Sequence, residues 1–246
     1  VPPVRVILVS PRNPLNIGAA ARAMSNFGFA ELRLVAPYAV AWQEARSAVG
    51  PSLDVLAAAR VFPTLAAAIA DCRLVVGTTS HGPKGLHLPL RRLEAGARLL
   101  RKTLPPAALV FGSEKHGLSL DDFSHCHWLL RIPSREEHPS MNLGQAVALC
   151  LYELVRDGRA LAPETTRRAP VGDLDRLTDL LLEVLAVAGY TNRRTAASTA
   201  RKVRRLVRRL NLDPKDAEVL LGMLRQIRWR LGDLALHAES SPDVTP

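Results

Sequence analysis

Four stretches of this sequence carry residue types at spacings that can do chemistry. In Asn16-Ile17-Gly18-Ala19-Ala20-Ala21-Arg22, Gly18 stands four residues before Arg22, so on a helix the two stack on one face with Ser25 and Asn26 nearby. Bare backbone beside a guanidinium, near a helix N-terminus that favours anions, suits a phosphate or a ribose. Asn16 is a candidate cap and Gly28 a candidate stop. Ile17, Ala20, Met24 and Phe27 form the inward face. Taken alone, the segment reads equally well as an ordinary amphipathic helix with a surface arginine. The second stretch, Gly112-Ser113-Glu114-Lys115-His116-Gly117-Leu118, sets two glycines around a carboxylate just after the apolar run Ala107–Phe111. Glycines there let the backbone reach a ligand, at the strand end where open α/β sheets bind them.

The third stretch runs from Ile132-Pro133 through Ser134–Pro139 to Ser140-Met141-Asn142-Leu143. A helix follows, with Leu143, Ala146, Val147, Cys150 and Leu154 on its apolar face and Ser140 or Asn142 as its cap. In the fourth, Arg201, Arg204, Arg205 and Arg208 recur at helical spacing, beside Lys202 and Arg209. Arg193 to Arg209 holds eight Lys or Arg and no acid, a stripe suited to phosphate contact. The competing reading is a solvated face, or one paired with acids. His125-Cys126-His127 lacks a second ligand pair, and Cys72, Cys126 and Cys150 are far apart with no CxxC, so no metal site or disulfide framework is expected.

These residues need a scaffold, and the pattern around them is that of alternating strands and helices. Strands are expected at Val4–Val9, Glu31–Val35, Arg73–Gly77, Ala107–Phe111 and His127–Ile132, helices at Ile17–Phe27, Leu53–Ala59, Leu65–Ala70, Arg91–Lys102 and Asn142–Arg156. Short Val/Leu/Ile-rich strands alternating with helices imply a mostly parallel sheet in an α/β domain. Residues 158–172 read as a linker. Three helical candidates follow with no strand signal, at Leu174–Val187, Thr195–Leu210 and Pro214–Leu231, the last entered through Asp213-Pro214. The expected division is a domain over 1–157, the linker over 158–172, a helical RNA-binding extension over 173–238 and a flexible tail over 239–246.

At 48% hydrophobic residues the chain can bury a core, and its net charge of +10 points to a polyanionic partner. No run approaches the roughly 18 apolar residues of a membrane span, and the opening residues lack the apolar region of a signal peptide. A cytoplasmic protein with reduced thiols and no membrane partner is expected. A dinucleotide-binding fold is disfavoured, because the first strand leads into Ser10-Pro11-Arg12-Asn13 and not a glycine-rich turn. No Walker A sequence supports an NTPase, and with 4% aromatic residues an RNA-stacking sheet is not expected.

The ordered set of the first three stretches resembles the motifs of the SPOUT class of RNA methyltransferases, in its TrmH/SpoU superfamily. The first motif is Asn16-x-Gly18-Ala19-x-x-Arg22, the second Val110-Phe111-Gly112-x-Glu114-x-x-Gly117-Leu118, and the third Ile132-Pro133 followed by Ser140-Met141-Asn142-Leu143. Within it the chain is most similar to the TrmJ type of tRNA methyltransferase, through Val75-Val76-Gly77-Thr78-Thr79-Ser80 and the helical extension around Val219–Ile227. Pro139 and Gly144 depart from the pattern.

The resemblance implies a parallel sheet with helices on both faces, a trefoil knot in the C-terminal part of the α/β domain and a small all-helical C-terminal domain. It implies a homodimer with its methyl-donor pockets near the interface. The implied activity is transfer of a methyl group from S-adenosylmethionine to a ribose 2′-hydroxyl of tRNA, at cytidine or uridine in the anticodon loop. Thr78, Thr79, Ser80, Gly112, Gly117, Ile132, Ser140, Met141 and Asn142 would bind the donor. Arg22 and Ser140 would carry the chemistry, and Glu114 would order the site. Asn16, Arg22, Arg201, Arg204, Arg205 and Arg208 would meet RNA. The alternatives are methylation of rRNA and a non-catalytic RNA-binding or ribosome-assembly role, against which the intact Arg22, Glu114 and Ser140 set argues.

Overall fold

The computed structural model describes residues 4–47, 52–80, 88–103, 106–156 and 168–239. The first strand, β1 (Val4–Val9), is followed by α1 (Pro14–Phe27), β2 (Leu32–Val35), α2 (Ala39–Ser47), α3 (Leu53–Ala57), β3 (Arg60–Phe62) and α4 (Leu65–Ile69). Then come β4 (Leu74–Thr78), β5 (Leu90–Arg92), α5 (Leu93–Lys102), β6 (Ala107–Phe111), α6 (Leu120–Ser124), β7 (Trp128–Arg131) and α7 (Leu143–Val155). Three helices complete the described chain: α8 (Val171–Val187), α9 (Ala196–Arg209) and α10 (Pro214–Glu239).

The strands form one seven-stranded sheet in the order β3-β2-β1-β6-β4-β7-β5, with all neighbouring strands parallel. The central strands are buried on both faces, which is why they read as continuous apolar runs. One core layer joins Val6, Leu8, Leu34, Leu109 and Phe111 to α1, α5 and α7. The opposite layer joins Ile7, Val75, Val110 and Leu129 to α4, α6 and the start of α8. The five expected strands are present. The two others, β3 and β5, are three-residue edge strands whose side chains are exposed apart from the half-buried Phe62, too short to show a continuous apolar run; only their pairing with β2 and β7 defines them.

The start of α1 differs from expectation. Asn13, not Asn16, is the cap: its side chain accepts a hydrogen bond from the Leu15 N–H, and Pro14 opens the helix. Asn16 thereby falls in the first turn. The stop at Gly28 is as expected, in the left-handed region at φ 78°. The short helices α2 and α6 were not anticipated; α6 is opened by a capping box between Ser119 and Asp122.

The extension is not held off by a linker at its near end. The N–H groups of Val171 and Gly172 donate to the carbonyls of Cys72 and Ala70, each at 2.7 Å, and the N–H of Ala169 donates to that of Leu212. Residues 168–172 therefore belong to the packed structure, while most of the expected linker and nearly all of the expected tail lie outside the described residues. The extension has a small core of its own, with Leu174, Leu177, Leu180, Val207, Ala217 and Leu221. Asp213 caps α10 through the Asp216 N–H, as its Asp-Pro sequence predicts.

Candidate active site

The loops after β4, β6 and β7 gather at the carboxyl edge of the sheet and enclose a cavity of about 400 Å³. Thr78, Thr79 and Ser80 supply one wall, Gly112 to Leu118 a second, and Ile132, Ser134 and Pro139 to Met141 a third. Phe111, Leu130, Leu143 and Ala146 make its apolar parts. The loop after β6 is tightly closed. The Gly117 N–H donates to the Ser113 carbonyl at 2.8 Å, and the His116 N–H to the Ser113 hydroxyl. Gly117 sits at φ 66°, and a Cβ on Gly112 would overlap the backbone of Gly117 and Leu118. Both glycines are thus demanded by backbone geometry. The Thr78 hydroxyl donates to the Val110 carbonyl at 3.0 Å, and the Ser134 hydroxyl to the Pro139 carbonyl at 3.1 Å, bracing the other walls.

A chain of polar side chains ties the three motifs together. The Asn142 side-chain amide donates to the Asn16 side-chain Oδ1 at 2.8 Å, and the Asn16 Nδ2 donates to the Glu114 carboxylate at 3.0 Å. Glu114 also accepts from the backbone N–H groups of Arg12 and Asn13. Burial alone would raise the Glu114 carboxyl, but hydrogen bonds from Asn16, its own N–H, Arg12 and Asn13 outweigh it and hold the group below its usual range. Glu114 is therefore an anion that pins the β1–α1 loop to the loop after β6.

Eight of the nine residues expected to bind a donor line the cavity: Thr78, Thr79, Ser80, Gly112, Gly117, Ile132, Ser140 and Met141. The ninth, Asn142, does not; it caps α7 by accepting from the Gln145 N–H. Glu114 and Ser140 sit at the cavity, but Arg22 does not line it, lying on the exposed side of α1 with Ala19 and Asn26. Asn16 is revised from an RNA contact to a positioning residue, since it is 8% exposed and both ends of its amide are engaged. Gly144, the departure from pattern, has a steric reason: a Cβ there would stand 2.5 Å from the Ala19 Cβ, where α7 crosses α1. The apolar wall was missed as a wall because Leu130 and Leu143 give the same signal as any core residue.

The expected arginine stripe turns largely inward. Arg208 is 1% exposed, paired to Asp175 at 2.6 Å, with its Nε donating to the His125 carbonyl. Arg204 donates to Asp121 and to the Ser124 hydroxyl. Arg205 is buried as well, and Arg201 partly so. Arg204, Arg205 and Arg208 are revised accordingly: Arg204 and Arg208 help dock α9, Arg205 is buried, and the three are not an open RNA surface. The outward residues of this region are Arg193, Arg194, Lys202 and Arg209. His127 is likewise structural, its Nδ1 accepting from the Val75 N–H. No helix among the described residues is long and apolar enough to cross a membrane.

Comparison with known proteins places this site in a family. Residues 3–152 match the model of the SpoU rRNA Methylase family. The chain is 35% identical over 234 residues, 91% of each chain, to the tRNA (cytidine/uridine-2′-O-)-methyltransferase TrmJ of Yersinia pestis (strain Pestoides F). Its structure is similar to that of TrmJ from Z. mobilis ZM4, at TM-score 0.80 and 33% identity over 92% of this chain and 99% of that one. A probable methyltransferase from Bordetella pertussis Tohama I matches at TM-score 0.56 and 34% identity, covering 62% of this chain and 94% of its own. The three motifs that meet around the cavity all fall inside the matched span, and the chain belongs to the SpoU methylase family.

Proposed function

We propose that the protein transfers a methyl group from S-adenosylmethionine to a ribose 2′-hydroxyl of tRNA, at cytidine or uridine. The observation that carries this reading is the cavity at the ends of β4, β6 and β7, tied to the first motif by Glu114 and Asn16. The donor combines a flat ring, a ribose and an aminoacyl tail, and the residues present fit it. Phe111, Leu118, Leu130, Leu143 and Ala146 offer an apolar slot, while the walls at 78–80 and 112–117 offer backbone groups at close range. Gly112 and Gly117 keep that backbone bare.

The bound donor supplies an activated methyl on a sulfonium, so the protein's task is to hold and orient both reactants. Glu114 fixes the β1–α1 loop at the cavity. Ser140, exposed at the mouth, hydrogen-bonds the ribose. Arg22 meets the reacting hydroxyl as a permanent cation, positioning it and favouring its ionised form with help from an RNA phosphate. Because Arg22 lies outside its own chain's cavity, this role requires the homodimer. Leu15, 78% exposed on α1, and Leu149 and Tyr152 on α7 supply an apolar surface for it. The family resemblance implies a trefoil knot in the C-terminal part of the α/β domain.

Similarity to proteins named for tRNA methylation and the basic edge at Arg193, Arg194, Lys202 and Arg209 support tRNA as substrate. Methylation of rRNA is the second reading, favoured by the description of the matching family model. Calorimetry with S-adenosylmethionine tests the assignment. Wild type is expected to bind donor, Gly112→Ala to lose binding, and Arg22→Ala to bind donor normally but transfer no methyl. A wild-type protein that binds no donor would leave a non-catalytic RNA-binding role, and normal turnover by Arg22→Ala would remove that residue from the mechanism.

A further inference from the structure

A second cleft, of about 680 Å³, lies on the other side of the loop after β6. The two compartments share Ser113, His116 and Gly117. The second is walled by the ends of β1 and β2, the first turn of α4 and the face of α6, with Arg12 and Arg204 at its edges. Its volume is in the range of roughly 300–1,000 Å³ usual for small-ligand sites.

Three features set this cleft apart from an accidental groove. The chain leaves β1 toward β2 and leaves β6 toward β7, on the opposite side of the sheet. The cleft therefore lies where the strand order reverses, the place at which open parallel sheets bind ligands. Backbone strain is concentrated there too. Ser10 and Ala36, the residues just past β1 and β2, both line it and both hold left-handed conformations, at φ 48° and 41°. Such conformations are unfavourable for residues with a Cβ, and hydrogen bonds from the Ser10 N–H to the Val35 carbonyl and from the Ala36 N–H to the Phe62 carbonyl hold them in place. Finally, His125, 5% exposed, forms part of the wall, and its buried Nδ1 makes no hydrogen bond among the described residues. Burial and the charges of Arg204 and Arg208 depress its pKa to about 3, so the ring is a neutral hydrogen-bonding group.

We propose that this cleft receives the nucleobase of the nucleotide being methylated. The assignment rests on the methyltransferase function proposed above. A nucleoside carries its base and its 2′-hydroxyl on adjacent ribose carbons, so the two groups diverge from one edge of a small ring. A ribose seated across the Ser113–Gly117 loop turns its 2′-hydroxyl toward the first cavity and its base into the second. Nucleotides of a single-stranded loop are already free of pairing, which keeps the cost of turning the base inward low. Polar groups at Thr64 and Ser10 would then meet base edges, with the His125 ring as part of the wall, and Arg12 the adjoining phosphate.

Ala66 lines this cleft from α4 and is only partly buried, whereas its neighbour Ala67 is exposed and outside the lining. The test compares Ala66→Trp and Ala67→Trp in the full chain, by donor calorimetry, melting temperature and kinetics on tRNA transcripts carrying each of the four bases at the methylated position. Ala66→Trp is expected to keep its melting temperature and donor affinity, to lose at least about tenfold in kcat/KM, and to change its ranking of the four bases. Ala66→Leu should show a weaker form of the same pattern, and Ala67→Trp should match wild type. An Ala66→Trp enzyme with unaltered kcat/KM and base ranking overturns the assignment. So does selective loss of donor affinity at an unchanged melting temperature, which would give the cleft to the donor. A wild-type protein that methylates no RNA would refute the underlying function instead.

Discussion

At the scale of single residues, the site depends on Asn16 more than on its neighbours in the first motif. Its side-chain amide links Glu114 to Asn142. Asn16→Ala leaves both partners short of a hydrogen bond, and a polar group so stranded costs about 1–3 kcal/mol. The variant is expected to melt lower and to bind S-adenosylmethionine more weakly, readable by calorimetry; unchanged donor binding would separate the network from the cavity. The Glu114 anchor also has a pH signature. Its folded pKa lies below the ordinary 4.5, so its contribution is complete above that value and is lost as pH falls through the lower folded value. Donor affinity should hold across neutral pH and fail only in acid, in a range that Glu114→Gln removes. Glu114 was legible in the sequence as a carboxylate between two glycines. The role of Asn16 was not, because the direction of its side chain depends on where α1 begins, and Asn13-Pro14 moves that start by three residues relative to an Asn16 cap.

At the scale of elements, periodicity located α9 but not the face it buries. Val203 and Val207 are buried while Leu206 and Leu210 are exposed, and Arg205 and Arg208 go inward with the valines. Acids distant in sequence decide this, Asp175 on α8 and Asp121 on α6. Breaking a buried ion pair by removing one partner costs about 3–5 kcal/mol, so Arg208→Ala should lower the denaturation midpoint strongly and Arg201→Ala should barely move it. Equal midpoints for the two would contradict the docking of α9 through Arg208. The same logic explains the strands. Those buried on both faces, β1, β2, β4, β6 and β7, announce themselves by composition, whereas β3 and β5 exist only through their neighbours. The cavity lining was legible as far as motif residues reached. Its apolar part was not, since the same Leu and Phe would fill any core.

At the scale of the whole molecule, a basic chain of net charge +10 carries exposed cations on its helical extension at Arg193, Arg194, Lys202 and Arg209, which the proposed function assigns to tRNA. Reversing Arg193, Arg194, Lys202 and Arg209 to Glu should weaken tRNA binding and flatten its dependence on salt, because each lost phosphate contact reduces counterion release. Unaltered affinity and salt slope would place the RNA elsewhere. Delivery of a methyl group from the cavity to a ribose is read out by incubating the purified protein with labelled S-adenosylmethionine and tRNA and mapping the label by nucleoside analysis. The predicted result is label on a ribose 2′-oxygen of cytidine or uridine, present with wild type and absent with Arg22→Ala. Label on a base, or none despite bound donor, would contradict it.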